Sequence, residues 1–121
     1  MSEPRFCAAV PAAGAATRMG GGRPKQYLPL AGRSVLEWAL ACFLEHAGLQ
    51  AVVVALPADD DSFASLDVAG DPRVRTVTGG STRAASVRAA LAALADQDPA
   101  TPVLVHDAAR PCLLRGDLDR L

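Results

Sequence analysis

Short apolar segments that do not alternate with polar residues constrain the fold of this chain most strongly. Segments 6–10 and 51–56 are of this kind, and segments 74–78 and 102–106 are also predicted as strands. A continuous apolar run is typical of a strand that is covered on both faces. Such strands, separated by helices, predict parallel βαβ units with right-handed crossovers. The predicted fold class is therefore α/β, with a mostly parallel sheet flanked by helices.

Two helices are predicted between these strands. Ser34 followed by Glu37 is a capping-box pattern, and apolar residues then recur at helical spacing until Gly48 offers a stop. Ser81 or Thr82 caps a second helix that runs to about residue 95. The predicted inner face of that helix consists of Val87, Ala90, Leu91 and Leu94. Segment 57–71 is predicted as a loop with one short helix, and segment 117–121 as the start of another helix.

Composition narrows the class of protein. The 121 residues suit one domain, and 50% hydrophobic with 21% charged residues is a globular composition. The net charge of −1 argues against general nucleic-acid binding, and no apolar stretch predicts a membrane span. The first residues do not predict a secretory signal, so a cytoplasmic protein is expected. Three widely spaced cysteines without a CxxC pair argue against a disulfide framework and a zinc site.

The unusual loops follow the predicted strands. Segments 11–24, 79–82 and 107–111 each lie after a strand and are rich in Gly, Ala, Pro or charged residues. Parallel sheets bind ligands at the carboxyl ends of their strands. A single site formed by these three loops is the simplest interpretation.

The first loop has the composition of a phosphate-binding segment. It contains Arg18, Arg23 and Lys25 among small residues, and Lys25 is the only lysine among the 12 basic residues of the chain. Small residues let backbone N–H groups approach an anion closely. The loop fits neither the Walker A pattern nor the G-x-G-x-x-G fingerprint. A polyphosphate-binding loop is predicted, and a solvated surface loop is the alternative.

Charged residues near the end of the chain suggest a metal and a phosphate contact. Asp107 follows the fourth strand, where a carboxylate would hold Mg²⁺ against phosphates; a helix-capping or turn aspartate is the alternative. Arg110 would meet a substrate phosphate or else pair with an acid. His106 is interpreted as a packed residue, and the acidic run 59–61 as a solvated turn.

The third loop contains features that suit a nucleobase. Gly79 and Gly80 end a strand, so a flat base can lie against the backbone, and backbone groups with the Ser86 hydroxyl can bind its edge. A simple turn with an incidental serine is the alternative.

Four segments together resemble the 2-C-methyl-D-erythritol 4-phosphate cytidylyltransferase family. They are PAAGAATRM at 11–19, PKQYL at 24–28, GGSTRAASV at 79–87 and VHDAARP at 105–111. The resemblance implies a Rossmann-like sheet of nucleotidyltransferase type. It also implies transfer of a cytidylyl group from CTP to methylerythritol phosphate, with release of pyrophosphate, in non-mevalonate isoprenoid synthesis.

The resemblance also implies roles for residues. Arg18 and Lys25 would be catalytic, stabilising the charge that builds on the α-phosphate. Asp107 would support Mg²⁺ and, with Arg110, contact substrate. The implied nucleotide-binding residues are Ala12, Ala13, Gly14, Gly80, Ser86 and Ala108. The family has a glycine where this chain has Ala16, a position at which Gly20–Gly22 would supply compensating flexibility.

The family is about twice as long as this chain, which implies that residues 1–121 are the nucleotide-binding part of a single, truncated cytidylyltransferase domain. The family's remaining half carries acceptor-binding residues and a dimerisation arm, so the full-length protein is expected to be a homodimer. Two alternatives stay open: a related transferase that uses another sugar or alditol phosphate, and an inactive CTP-binding fragment.

Overall fold

The computed structural model describes residues 4–12, 29–30 and 32–106. Its strands are β1 (Phe6–Pro11), β2 (Pro29–Leu30), β3 (Arg33–Ser34), β4 (Leu49–Leu56), β5 (Val74–Thr78) and β6 (Val103–Val105). Four of them form a parallel sheet in the order β5-β4-β1-β6, as the sequence predicts. β2 and β3 form a short antiparallel pair that the sequence did not predict. Gly32 has φ 90° in the turn between them, a conformation that favours glycine.

The first helix, α1 (Val35–Leu44), begins at the predicted capping box. The Ser34 hydroxyl accepts a hydrogen bond from the Glu37 amide at 3.2 Å, and the Glu37 carboxylate accepts from the Ser34 amide at 3.0 Å. The helix ends before the predicted stop at Gly48. The Arg73 guanidinium donates to the Leu44 carbonyl at 2.9 Å, so a residue distant in sequence stabilises this helix end.

The sheet has a helix on each face, and the two faces carry side chains of different size. The α1 face is filled by large apolar groups, among them Phe6, Val10, Leu36, Leu40 and Phe43. The second helix, α2 (Arg83–Ala92), packs on the other face against smaller groups, including Cys7, Ala9 and Ala51. Alternate residues of β1 point to opposite faces, so this one strand contributes to both cores.

The structure corrects the predicted inner face of α2. Ala90 and Leu94 are buried, as predicted, but Leu91 is 43% exposed and Ser86 is fully buried. Leu91 lies about 100° around the helix from Ala90, which turns it away from the sheet. Hydrophobicity alone therefore misplaced Leu91, and the fully buried polar residue of this helix was not predicted.

Element boundaries differ modestly from the predictions. α2 ends at Ala92 instead of near residue 95, and β4 begins at Leu49 instead of residue 51. Segment 57–71 contains two 3-10 helices, Phe63–Ser65 and Asp67–Gly70, where one short helix was predicted. Within the described residues, no helix is long and apolar enough to cross a membrane.

Candidate functional site

The strand order places a topological switch point between β1 and β6. From β1 the chain adds β4 and then β5 on one side, and β6 returns to the other side of β1. In open α/β sheets, ligands bind in the crevice at the carboxyl ends of strands where the order reverses. The two neighbouring strands lead into the predicted phosphate loop and the predicted magnesium loop, respectively. The sheet thus gives both loops a common origin at one edge.

Hydrogen bonds fix the points at which the chain leaves these two strands. The Ala12 amide donates to the Ala55 carbonyl at 2.8 Å, and the His106 amide donates to the Ala9 carbonyl at 3.0 Å. Ala12 is fully buried, so this amide is committed to the sheet, not to a ligand. The His106 ring packs edge-to-face on Phe43 with centroids 5.7 Å apart, in agreement with its interpretation as a packed residue.

The turn between β5 and α2 is the part of the candidate site that the structure describes most fully. The Gly79 amide donates to the Leu56 carbonyl at 2.9 Å, which ties the end of β5 to β4. Thr82, not Ser81, caps α2: its side-chain oxygen accepts from the Ala85 amide at 3.1 Å. The turn is therefore held to the sheet at one end and to the helix at the other.

Gly80 packs so closely on α2 that a side chain would not fit. A Cβ atom built on Gly80 would lie 2.3 Å from the Ala85 Cβ. The Gly80 amide donates to the Ser86 hydroxyl oxygen at 3.1 Å, and this hydroxyl lies 3.4 Å from the Gly80 carbonyl oxygen. The sequence indicated Gly80 and Ser86 but not their contact with each other, and the small residue at 85 was the only signal for this close approach.

Most of the other predicted site residues lie outside the described residues. They are Ala13, Gly14, Arg18, Lys25, Asp107, Ala108 and Arg110. The structure brings Gly80 and Ser86 into contact and places Ala12 at the end of β1, and the positions of the remaining predicted residues stay predictions.

Two other groups of side chains do not form an alternative centre. The Asp60 carboxylate accepts from the amides of Ser62 and Phe63 at 3.1 and 3.0 Å, so this aspartate orders a turn, as predicted for the acidic run. In the part of the chain that the structure describes, no group of three possible metal ligands occurs. Burial raises the pKa of the Cys7 thiol, which keeps it protonated at neutral pH and unsuited to act as a nucleophile.

Comparison with known proteins identifies relatives of the whole chain. The family model for 2-C-methyl-D-erythritol 4-phosphate cytidylyltransferase, IspD, matches residues 6–121. The protein of that name from Pseudomonas fluorescens SBW25 is 52% identical over 128 residues, an alignment that covers 100% of this chain and 53% of the relative. The one from Photobacterium profundum is 50% identical over 117 residues, which covers 97% of this chain and 49% of the relative.

Solved structures give the same result. A crystal structure described as 4-diphosphocytidyl-2C-methyl-D-erythritol synthase superposes with a TM-score of 0.77 at 34% identity, covering 99% of this chain and 53% of that chain. The cytidylyltransferase from Thermus thermophilus superposes with a TM-score of 0.70 at 36% identity, covering 96% and 47%, respectively.

The predicted fold class is thereby confirmed as a nucleotidyltransferase-type parallel sheet flanked by helices. The chain spans about half the length of the curated relatives that it matches. The match of the family model over nearly the whole chain, together with these relatives, shows that the chain belongs to the 2-C-methyl-D-erythritol 4-phosphate cytidylyltransferase family.

Proposed function

We propose that this chain is the CTP-binding part of an enzyme that transfers a cytidylyl group from CTP to 2-C-methyl-D-erythritol 4-phosphate, in isoprenoid synthesis. The observation that carries the proposal is the adjacency of β1 and β6 at the switch point. The segments after Ala12 and His106, which contain the family's motifs, leave neighbouring strands at the same edge of the sheet. Family membership supplies the substrates, since curated relatives bear this activity as their name.

The proposed reaction is an in-line displacement at the α-phosphorus of CTP. A phosphate oxygen of methylerythritol phosphate forms a bond to that phosphorus, and the bond to the bridging oxygen breaks, so pyrophosphate leaves with the electron pair. Negative charge builds on the α-phosphate oxygens in the transition state. Arg18 and Lys25 are assigned to those oxygens, because positioned cations stabilise developing charge more than they stabilise the ground state.

The nucleotide side of the site is assigned to three short segments. Ala12, Ala13 and Gly14 lie against the nucleotide through their backbone, with Ala108 nearby. Because the Ala12 amide is bonded to Ala55, a contact from this residue uses other atoms. Gly80 and Ser86 lie on the side of the cytosine base, and Arg110 contacts a substrate phosphate.

Magnesium fits the residues assigned here. Mg²⁺ at phosphate-transfer sites is held by one or two carboxylates together with the phosphates of the substrate. Asp107 follows β6 at the switch point and is the carboxylate assigned to that role. When bound, the ion would neutralise phosphate charge, while Asp107 also orders substrate contacts.

Two broader assignments accompany this proposal. A cytoplasmic location is assigned because CTP is supplied inside the cell. A homodimer is assigned to the full-length protein on the basis of its family. Neither assignment alters the roles of the residues given above.

Nucleotide binding and turnover, measured on one preparation, test the proposal. Calorimetry with CTP and Mg²⁺ is expected to show weak binding by the 121-residue chain. Pyrophosphate release with methylerythritol phosphate is expected to be far lower than for a family member of full length, because an acceptor that is not positioned forfeits up to about 7–11 kcal/mol of the barrier reduction. Absence of CTP binding would overturn the nucleotide assignment, and full turnover would show that this half contains the acceptor site.

A further inference from the structure

The buried Ser86 hydroxyl is engaged within the protein. It accepts a hydrogen bond from the Gly80 amide at 3.1 Å, and the Gly80 carbonyl oxygen lies 3.4 Å away. The residue is fully buried, so a ligand in the crevice would have to displace existing packing to reach this oxygen. Both contacts are to the backbone of one residue, which makes the hydroxyl a clamp on the β5–α2 turn.

This clamp determines the direction of the peptide group that precedes Gly80. The described chain contains no cis peptide, so the N–H and C=O of the Gly79–Gly80 peptide point in opposite directions. Because the Gly80 N–H points at Ser86, the Gly79 carbonyl points away from Ser86. Within the described residues, no donor is hydrogen-bonded to this carbonyl oxygen.

Close packing keeps the turn in this orientation. Gly80 lies against Ala85 without room for a side chain, and the Gly79 amide is bonded to the Leu56 carbonyl at 2.9 Å. Rotation of the Gly79–Gly80 peptide would break the contact with Ser86 and leave the Gly80 amide without its acceptor. A buried amide that loses its partner is costly, so the Gly79 carbonyl is a preorganised acceptor.

We propose that Ser86 is a positioning residue that orients the Gly79 carbonyl oxygen to accept a hydrogen bond from the exocyclic amine of the cytosine base. The inference rests on the proposed function, since it deepens the assignment of this turn to the base. Cytosine presents an N–H donor at the position where uracil presents a carbonyl acceptor. An acceptor fixed by the fold therefore favours CTP over UTP, whereas a hydroxyl that rotates would accept from one and donate to the other.

The test compares the affinities of CTP and UTP for Ser86→Ala and for the unmodified chain, by calorimetry with Mg²⁺. Loss of one positioned hydrogen bond typically weakens binding by a few-fold to about tenfold. We expect that loss for CTP and a smaller one for UTP, so that the preference for CTP narrows. Ser65→Ala is the matched control, because it removes an exposed serine hydroxyl from a 3-10 helix and should leave both affinities unchanged.

The outcomes separate this inference from the proposed function. An equal loss for CTP and UTP would overturn it, because a direct contact of Ser86 with a group that the two bases share would act in that way. Unchanged affinities would also overturn it. If the unmodified chain binds no CTP, the proposed function itself fails, and this inference fails with it.

A second measurement does not depend on the folding of a variant. Hydrogen exchange of the Gly80 amide, followed by NMR in the unmodified chain, should be slow without nucleotide and should stay slow when CTP is added. If Ser86 turns to the base, the Gly80 amide loses its acceptor and its exchange accelerates in the complex. Acceleration would overturn the positioning role, and continued protection supports it.

Discussion

The two faces of the sheet are built from side chains of different size, and the difference separates stability from function. On the α1 face, large groups such as Phe43 and Leu40 interdigitate. On the α2 face, Ala9, Ala51 and Ala90 bring helix and sheet together with little side-chain bulk. The candidate nucleobase turn belongs to the α2 side, where Gly80 contacts the first turn of the helix directly. The α1 face thus supplies most of the apolar burial, and the α2 face sets the position of the turn.

The largest expected effect is loss of stability when the α1 face is emptied. Phe43→Ala removes a fully buried ring and should lower the free energy of unfolding by about 3–5 kcal/mol. Leu91→Ala on α2, where the side chain is 43% exposed, should cost about 1 kcal/mol or less. Urea unfolding of the two variants measures this contrast, and equal losses would mean that the two faces contribute equally to stability.

The second expected effect is on turnover without a comparable effect on stability. In the full-length enzyme, Lys25→Ala should lower turnover by on the order of a hundredfold or more while weakening CTP binding much less, because the lysine acts on charge that develops in the transition state. Lys25→Arg should restore activity only in part, since a planar guanidinium distributes its donors differently. Steady-state kinetics beside CTP calorimetry measures both quantities, and near-normal turnover of Lys25→Ala would refute its catalytic assignment.

A third prediction tests the close approach on the α2 face. Gly80→Ala places a methyl group where Ala85 already lies and should cost about 1–3 kcal/mol of stability, with weaker CTP binding. Gly70→Ala is the matched control, since an added Cβ there meets nothing within 4 Å. Thermal unfolding with and without CTP measures both effects. If the two variants behave alike, the tight packing of the turn has no energetic consequence.

The smallest expected effects involve two arginines that each bind the carbonyl of a residue at or just after a helix end. Arg73 donates to the Leu44 carbonyl at 2.9 Å and pairs with Asp71; Arg75 donates to the Ala93 carbonyl at 3.0 Å and pairs with Asp96. Arg73→Ala should cost about 1 kcal/mol or less, because partly exposed ion pairs contribute little. Arg75→Ala should cost less still, since Asp96 is more exposed than Asp71.

The first of these pairs has a defined pH dependence. The hydrogen bonds from Arg73 lower the pKa of Asp71 below its usual range. The carboxylate therefore stabilises the fold above about pH 4, and this contribution is lost as pH falls through the lowered pKa. The difference in stability between the unmodified chain and Arg73→Ala should shrink in acid. A difference that stays constant from neutral pH to about pH 2.5 would mean that Asp71 does not contribute through its charge.

The sequence by itself determined the class of fold and the position of the motifs. Apolar runs such as 51–56 identify buried parallel strands, and Ser34 with Glu37 identifies the start of α1, because these signals depend on residues close in the chain. The family motifs are local for the same reason. Boundaries at helix ends were less accurate, because Arg73 stabilises the end of α1 from a distant part of the sequence.

Only the tertiary structure decided which residues meet. The position of β6 beside β1 creates the switch point, and no local pattern specifies the order of parallel strands. The orientation of α2 decided that Leu91 is exposed and Ser86 is buried, against the ranking of their hydrophobicities. The contact of Ser86 with Gly80 needs α2 to fold back against the end of β5, so it depends on packing that the composition of the loop does not encode.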